Sequence, residues 1–245
     1  MSNFKYPKIY TLFEREKEGK KRLVTPIINK DYSIQALSYV NKIIVEEKID
    51  GTNAQLEVCY YHYIDGERVD FRYFSRNNQI NNDPNTEDIM WIRSTINKVV
   101  NLKKIKTWYF KNFVEGKTSD NFPVIKIYGE VYGEKIQGNK YLPKGERNFI
   151  VFDIKINNNW LSVKDRNEIC NNLGLKVVPK FCELDRFPTF EECYDLLFKT
   201  YPKSIIAKEN GRDEFLEGFI LRPQISLYTH NFNRVIGKIK RKDFE

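Results

Sequence analysis

Histidine is almost absent from this chain, with two residues in 245, His62 and His230. Histidine triads and histidine acid–base relays therefore have little material, and any chemistry falls to Lys, Arg, Asp, Glu and a divalent metal. Cysteine is nearly as scarce. Cys59, Cys170, Cys182 and Cys193 show no C-x-x-C spacing, which argues against a zinc site or dithiol motif and for buried, reduced thiols. No apolar run approaches the roughly 18–20 residues that a membrane span requires. From Met1 to Arg22 the chain carries aromatics and charges where a signal peptide would carry an apolar stretch. Linkers, low-complexity tracts and internal repeats are missing too. The expectation is a soluble, cytoplasmic chain with no membrane partner.

What the chain does have is aromatic bulk and positive charge. Seventeen Phe, fifteen Tyr and three Trp within a 41 % hydrophobic composition supply a sizeable core. Forty-one Lys+Arg against 33 Asp+Glu give a formal charge of +8. The excess concentrates at Lys20-Lys21-Arg22, at Lys103, Lys104 and Lys106, and at Lys238, Lys240, Arg241 and Lys242. One such run is ordinary solvated surface, but three on a basic chain point to a polyanion, nucleic acid first.

The β-branched run Ile43–Lys48 predicts a strand, Gly51-Thr52-Asn53 a turn, and 54–61 and 70–75 two more strands. The polar stretch 77–86 with Pro84 reads as a loop. Ile89, Ile92, Ile96, Val99 and Val100 predict one amphipathic helix from Glu87 to about Lys104. Strands return at 124–131 and 149–156. Ser162 and the capping box Thr189-Phe-Glu-Glu192 each open a short helix, and 218–221 and 235–239 close the chain as strands. Scattered strands without a βαβ rhythm predict an α+β class with mostly antiparallel sheets flanked by helices.

The stretch richest in chemistry is Glu47-Lys48-Ile49-Asp50-Gly51-Thr52-Asn53. A lysine amine is a nucleophile only when neutral, and enzymes favour that form with nearby cations and burial. Alone, a K-x-D-G is an ordinary charged strand end before a turn. Five further segments alter that reading: Ser75-Arg76, Ile127-Tyr-Gly-Glu130, Val151-Phe152-Asp153, Glu217-Gly-Phe-Ile-Leu-Arg222 and Lys238-Ile-Lys240. In this order they resemble motifs Ia, III, IIIa, IV and V of the covalent nucleotidyltransferases, with Lys48–Gly51 as motif I. Within that superfamily the chain is most similar to the RNA ligase 2 family of ATP-dependent RNA ligases. That family reads E-K-x-H-G-T-N at motif I, so Asp50 stands here in place of His. Phe4-Lys5 near the amino terminus, Ile136-Gln137 and Asn233-Arg234-Val235 are family-like as well.

The resemblance implies a single nucleotidyltransferase (ATP-grasp-like adenylation) domain over 1–245. With five residues after Lys240, the expectation is that no carboxyl-terminal OB-fold or helical domain follows. It implies that Lys48 takes AMP from ATP as a lysyl phosphoramidate, with Glu47 and Ile49 flanking the adenine. Phe152 would stack on the purine and Glu130 would bind the ribose hydroxyls. Arg76, Lys238 and Lys240 would take the phosphate side of the ATP site, to which Arg222 would also belong. Glu217 would ligate Mg²⁺ (or Mn²⁺), and Asn53 would reach the metal through water. The partner would be RNA carrying 5′-phosphate and 3′-hydroxyl ends, chiefly a nicked duplex, and the protein a monomer. The alternatives are a DNA ligase or an mRNA capping guanylyltransferase with the same lysyl–nucleotide chemistry. From a different class, a non-catalytic nucleic-acid-binding domain is a third reading.

Overall fold

The computed structural model describes residues 5–18, 21–63, 66–117 and 121–245; Phe4 and Lys20 lie outside them, and Lys21, Arg22 and His62 are described in backbone only. In chain order come β1 (Tyr10–Thr11), β2 (Phe13–Glu18), β3 (Lys21–Ile28), α1 (Tyr32–Leu37), β4 (Ile43–Lys48), β5 (Thr52–Tyr63), β6 (Gly66–Ser75) and β7 (Gln79–Ile80). Next are α2 (Ile92–Val99), α3 (Leu102–Tyr109), β8 (Ile125–Gly133), β9 (Arg147–Ile156), β10 (Asn159–Trp160) and α4 (Val163–Leu173). The rest of the chain holds β11 (Lys180–Leu184), α5 (Phe190–Asp195), α6 (Ile205–Glu209), β12 (Gly218–Pro223) and β13 (Gly237–Lys240). Among these strands every pairing is antiparallel except that of β1 with β13. The class is α+β, antiparallel sheets flanked by helices.

The residues fall into two compact units. One comprises the chain up to Tyr6, Gly51–Asn139 and Lys144–Val177; the other comprises Pro7–Asp50, Lys140–Pro143 and Val178–Glu245.

In the first unit a six-stranded sheet runs in the order β10-β9-β8-β5-β6-β7. Strand alternation sends Ala54, Leu56 and Val58 of β5 to one face, where they meet Ile127, Val131, Val151 and Ile154. Ile96, Ile105, Tyr109, Cys170 and Leu173 from α2, α3 and α4 close that core. The single helix expected from 87 to 104 is instead two. A 3₁₀ turn at Ile89–Trp91 precedes α2, Val100 is extended (φ −104°, ψ 129°), and the Asn101 side chain accepts the Lys104 N–H to start α3. The apolar spacing continues across the break, with Ile92, Ile96, Val100, Ile105 and Tyr109 all buried. Periodicity alone therefore conceals it, whereas Asn101 is a good N-cap.

The second unit holds a five-stranded sheet, β1-β13-β12-β4-β11, and the ribbon β2–β3. Ile43, Val45, Phe219, Leu221 and Ile239 pack with Leu12, Ile34, Leu37 and Leu197 on one face. The two caps read from the sequence are in place. The Ser162 side chain accepts the Asp165 N–H, and Thr189 and Glu192 form the reciprocal box. Several expected boundaries move: Thr52 and Asn53 already belong to β5, β6 starts at Gly66 rather than at 70, the 77–86 loop contains β7, and β13 starts at Gly237 rather than at 235. All four cysteines are free, three of them buried. Among the described residues no helix is long and apolar enough to cross a membrane.

Candidate active site

In the five-stranded sheet β4 lies between β12 and β11, and register sets Lys48 opposite Gly218 and Gly218 opposite Lys240. Lys48, Gly218 and Lys240 thus form one row across three strands. The middle position admits no side chain. A Cβ on Gly218 would stand 2.2 Å from the Ile239 carbonyl oxygen and 2.7 Å from the Lys240 Cα. Just before that glycine, Glu217 reaches both cations. The Lys48 Nζ donates to its Oε2 at 2.5 Å and the Lys240 Nζ donates to its Oε1. Burial alone would push the Glu217 carboxyl up, but the two ammonium groups outweigh it and hold it below the usual carboxylate range. Lys238, two residues before Lys240, shares its face by strand alternation. Burial, helped by Lys240, Lys48 and Arg15 and opposed by Asp243, pushes its pKa down to about 8.

Arg222 lies on the same face as Lys48 but opposite Ile44. It is 3 % exposed, and its Nη1 stands 3.8 Å from a carboxylate oxygen of the equally buried Glu46. The Arg222 side chain, expected in the ATP site, is a buried partner of Glu46.

Glu47 points the other way. Adjacent strand residues face opposite sides, so its carboxylate enters the core side of the sheet, 1 % exposed. There it accepts the Ser204 hydroxyl at 2.5 Å, the Ile205 N–H at 3.0 Å and the Ile206 N–H at 3.4 Å, all at the start of α6. Burial raises its pKa to about 6 despite these donors. The adenine-flanking role read for Glu47 therefore does not extend to its side chain, which anchors the end of β4 to α6. Ile49 is buried, and its carbonyl lies 3.4 Å from the Lys48 Nζ. Asp50 donates its N–H to the Tyr141 hydroxyl at 2.8 Å, and its carboxylate pairs with Lys140 at 3.2 Å. Sequence reasoning missed Ser204 and Tyr141. Ser204 had a signal, a serine three residues before Ala207 whose N–H it caps, whereas Tyr141 had none.

In the six-stranded unit, Asn53 and Glu130 are cross-strand neighbours of β5 and β8. Gly51 packs onto the same place: a Cβ there would sit 2.5 Å from the Val131 carbonyl oxygen and 2.7 Å from the Glu130 Cγ. Phe152 owes its direction to a β-bulge. Tyr128 pairs with Asp153 and Gly129 with Val151, which leaves Phe152 as the extra residue. Its half-buried ring meets Tyr6 edge-on at 5.0 Å, and Tyr6 also meets Tyr128 at 5.2 Å while its hydroxyl donates to the Asp153 carboxylate at 2.5 Å. Arg76 is exposed just past β6. A cavity of about 570 Å³ opens elsewhere in this unit, lined in part by Tyr61, Asp70, Arg72 and Asn82, and holds none of the motif residues.

Lys48, Glu217, Lys238 and Lys240 are thus gathered on one sheet, and Asn53, Glu130 and Phe152 on the other. Two ammonium groups on one carboxylate, with a third on the same face, suit a polyphosphate. Among the described residues no three His, Cys, Asp or Glu side chains cluster as metal ligands. A single carboxylate fits Mg²⁺, which keeps most of its waters and takes one or two carboxylates besides phosphate oxygens.

The chain resembles, at 18 % identity and a TM-score of 0.57, an apo mutant of Naegleria gruberi RNA ligase, covering 96 % of this chain and 61 % of that one. A mutant of that ligase with ATP and Mn is 19 % identical with a TM-score of 0.55, over 96 % and 62 %. The ligase with PPi is 20 % identical with a TM-score of 0.54, over 96 % and 61 %. The chain therefore spans about three-fifths of the length of these structures, and at such identities the likeness is one of fold. No curated protein matches it in sequence. The family model described as RNA ligase matches residues 41–240, from just before β4 to the last residue of β13. With all six motifs inside that stretch, the chain belongs to the RNA ligase family.

Proposed function

We propose that this chain is an ATP-dependent RNA ligase that joins RNA 3′-hydroxyl and 5′-phosphate ends, chiefly at nicks in duplex RNA. The observation that carries the reading is the Lys48–Glu217–Lys240 row, with Lys238 on the same face. The Lys48 nitrogen, once deprotonated, forms a bond to the α-phosphorus of ATP as the bond to pyrophosphate breaks. The lysyl-AMP bond is exchanged for a 5′–5′ pyrophosphate on the RNA 5′-phosphate. Attack by the 3′-hydroxyl then forms the phosphodiester and releases AMP. Charge gathers on phosphoryl oxygens at each step, so fixed cations are the natural catalysts. Lys238 and Lys240 supply them here, and Glu217 holds Lys48 and Lys240 in place. Glu217 would hold a divalent metal, which would supply further charge neutralisation, and the resemblance assigns Asn53 a contact to it through water. In the other unit Glu130 takes the ribose hydroxyls and Phe152 the purine face, and Arg76 takes phosphate. Glu47 and Ile49 contribute to the adenine through backbone only. The reading extends to a cytoplasmic monomer whose two units serve one adenylation domain.

Membership of the family supports this, as do the Naegleria RNA ligase structures holding ATP and Mn or PPi. Intact mass after incubation with ATP and Mg²⁺ tests it. The expected result is a gain of one AMP, absent in Lys48→Ala and with thermal unfolding nearly unchanged. A GMP adduct from GTP would redirect the reading to capping, and sealing of DNA but not RNA nicks to a DNA ligase. No adduct from folded, AMP-free protein would leave a nucleic-acid-binding domain.

A further inference from the structure

From Arg93 to Val114 the chain contains no Asp or Glu, yet it carries Lys98, Lys103, Lys104, Lys106 and Lys111. This is the stretch of α2, α3 and the π-helical turn Phe110–Val114. One side is fixed in the core by Ile96, Ile105, Tyr109 and Val114, and all five lysines are exposed. Among the described residues none of them makes an ion pair. The neighbouring α4 exposes Lys164, Asp165 and Glu168, of which Asp165 is engaged by the Ser162 hydroxyl.

Local physics does not account for this pattern. A solvated helix face normally mixes signs, because like charges one turn apart repel. Here Lys103 and Lys106 are one turn apart with nothing opposite in sign between them. Lys106 lies in the last turn of α3 and Lys111 in the π-helical turn that follows, where the helix dipole welcomes cations. Lys103 and Lys104 occupy the first turn of α3, where that dipole opposes them and where acidic residues are absent. Cations kept at an unfavourable helix end, unpaired and exposed, suit a ligand that brings its own negative charge. Lysines are compact point charges on flexible stems, suited to phosphates and poor at reading base edges.

We propose that this lysine face docks the phosphodiester backbone of the RNA substrate, without sequence preference. The inference rests on the RNA ligase reading above but uses none of its motif residues. The test is the triple variant Lys103→Gln/Lys104→Gln/Lys106→Gln, compared with a triple Lys→Arg variant at the same positions. Binding to a nicked RNA duplex is measured over a range of salt, beside the AMP mass adduct. The Gln variant should bind at least about tenfold more weakly near physiological salt, and its log–log salt slope should flatten by about 2–3, near 0.9 per lost phosphate contact. Its AMP adduct and thermal melt should match wild type, and the Arg variant should bind as wild type does. An unchanged slope in the Gln variant, or a loss shared equally by the Arg variant, overturns the proposal. So does loss of the AMP adduct in the Gln variant with its melt intact, which would place these lysines in nucleotide chemistry. A wild-type chain that binds RNA through this face yet forms no adduct would refute the ligase reading instead.

Discussion

Replacing Glu47 by Gln isolates the consequence of burying a carboxylate beside the proposed nucleophile. The site is closed: Glu47 is 1 % exposed and bound by the Ser204 hydroxyl and the Ile205 and Ile206 N–H groups. Its pKa rises from 4.5 to about 6, because burial outweighs those donors. A carboxyl raised on folding supports the fold fully below its unfolded pKa and loses that support as pH climbs through its folded pKa. The gap corresponds to about 2 kcal/mol, lost between about pH 4.5 and about pH 6 and level above. Gln keeps one carbonyl acceptor and the shape but does not ionise. Paired denaturant-unfolding curves at about pH 4 and about pH 7 should therefore show wild type losing about 2 kcal/mol relative to Glu47→Gln as pH rises. A stability difference that stays level across that window refutes the argument. Glu47→Ala goes further, leaving the Ser204 and Ile205 donors without an acceptor. At about 1–3 kcal/mol each, less the roughly 2 kcal/mol of carboxylate burial relieved at neutral pH, the loss comes to at most about 4 kcal/mol. Adenylate formation should slow in parallel, since the end of β4 that bears Lys48 loses its anchor to α6.

Lys238→Met removes a partly buried cation, so chemical unfolding at neutral pH should show a gain of about 1–2 kcal/mol after allowance for solvent screening, while the rate of AMP adduct formation falls. A variant that is both less stable and fully active would contradict the placement of Lys238. Gly129→Ala sets a Cβ 2.4 Å from the Ile150 carbonyl oxygen and from the Phe149 ring; a loss of about 1–3 kcal/mol is expected, and an unchanged melting temperature would count against it. Phe152→Ala takes a half-buried ring from Tyr6, so the expected loss is about 1–2 kcal/mol, below the 3–5 typical of a core Phe. The KM for ATP in adduct formation should rise, and a melt lowered as far as by a core truncation would mean that the ring is structural.

Where residue identity carries its own local energy, the sequence was legible. The β-branched run Ile43–Lys48 is β4 to the residue, and Ser162 and Thr189 cap the helices expected of them. Gly51 and Gly218, read as motif letters, prove to be close approaches that admit no Cβ. Where competing interactions decide, it was not. The apolar spacing through Val100 hid a helix break that Asn101 makes favourable. Glu47 and Arg222 read as ligand contacts through the motif resemblance, which does not report where a side chain turns; one accepts N–H groups at the start of α6 and the other pairs with Glu46. The short strands β1 and β7, at two residues each, carry too little pattern to be read. Tyr141 comes from ninety-one residues away to meet the Asp50 N–H, and no local rule reports such a contact.

The bulge in β9 separates what the chain does from what holds it together. Its core-facing residues run Phe149, Val151, Ile154 and Ile156, so the alternation skips a beat once, at the added residue. The aromatic is therefore written into the strand as an insertion rather than as a choice of side chain. Excising Phe152 alone would bring Val151 and Ile154 back into strict two-residue phase with Asp153 still turned toward Tyr6. The same residues would still face the core, while the buried Arg166 guanidinium, which donates to the Phe152 carbonyl at 2.7 Å, would lose that acceptor. A reading frame of that kind lets this face of the sheet gain or shed an aromatic while the packed residues behind it stay the same.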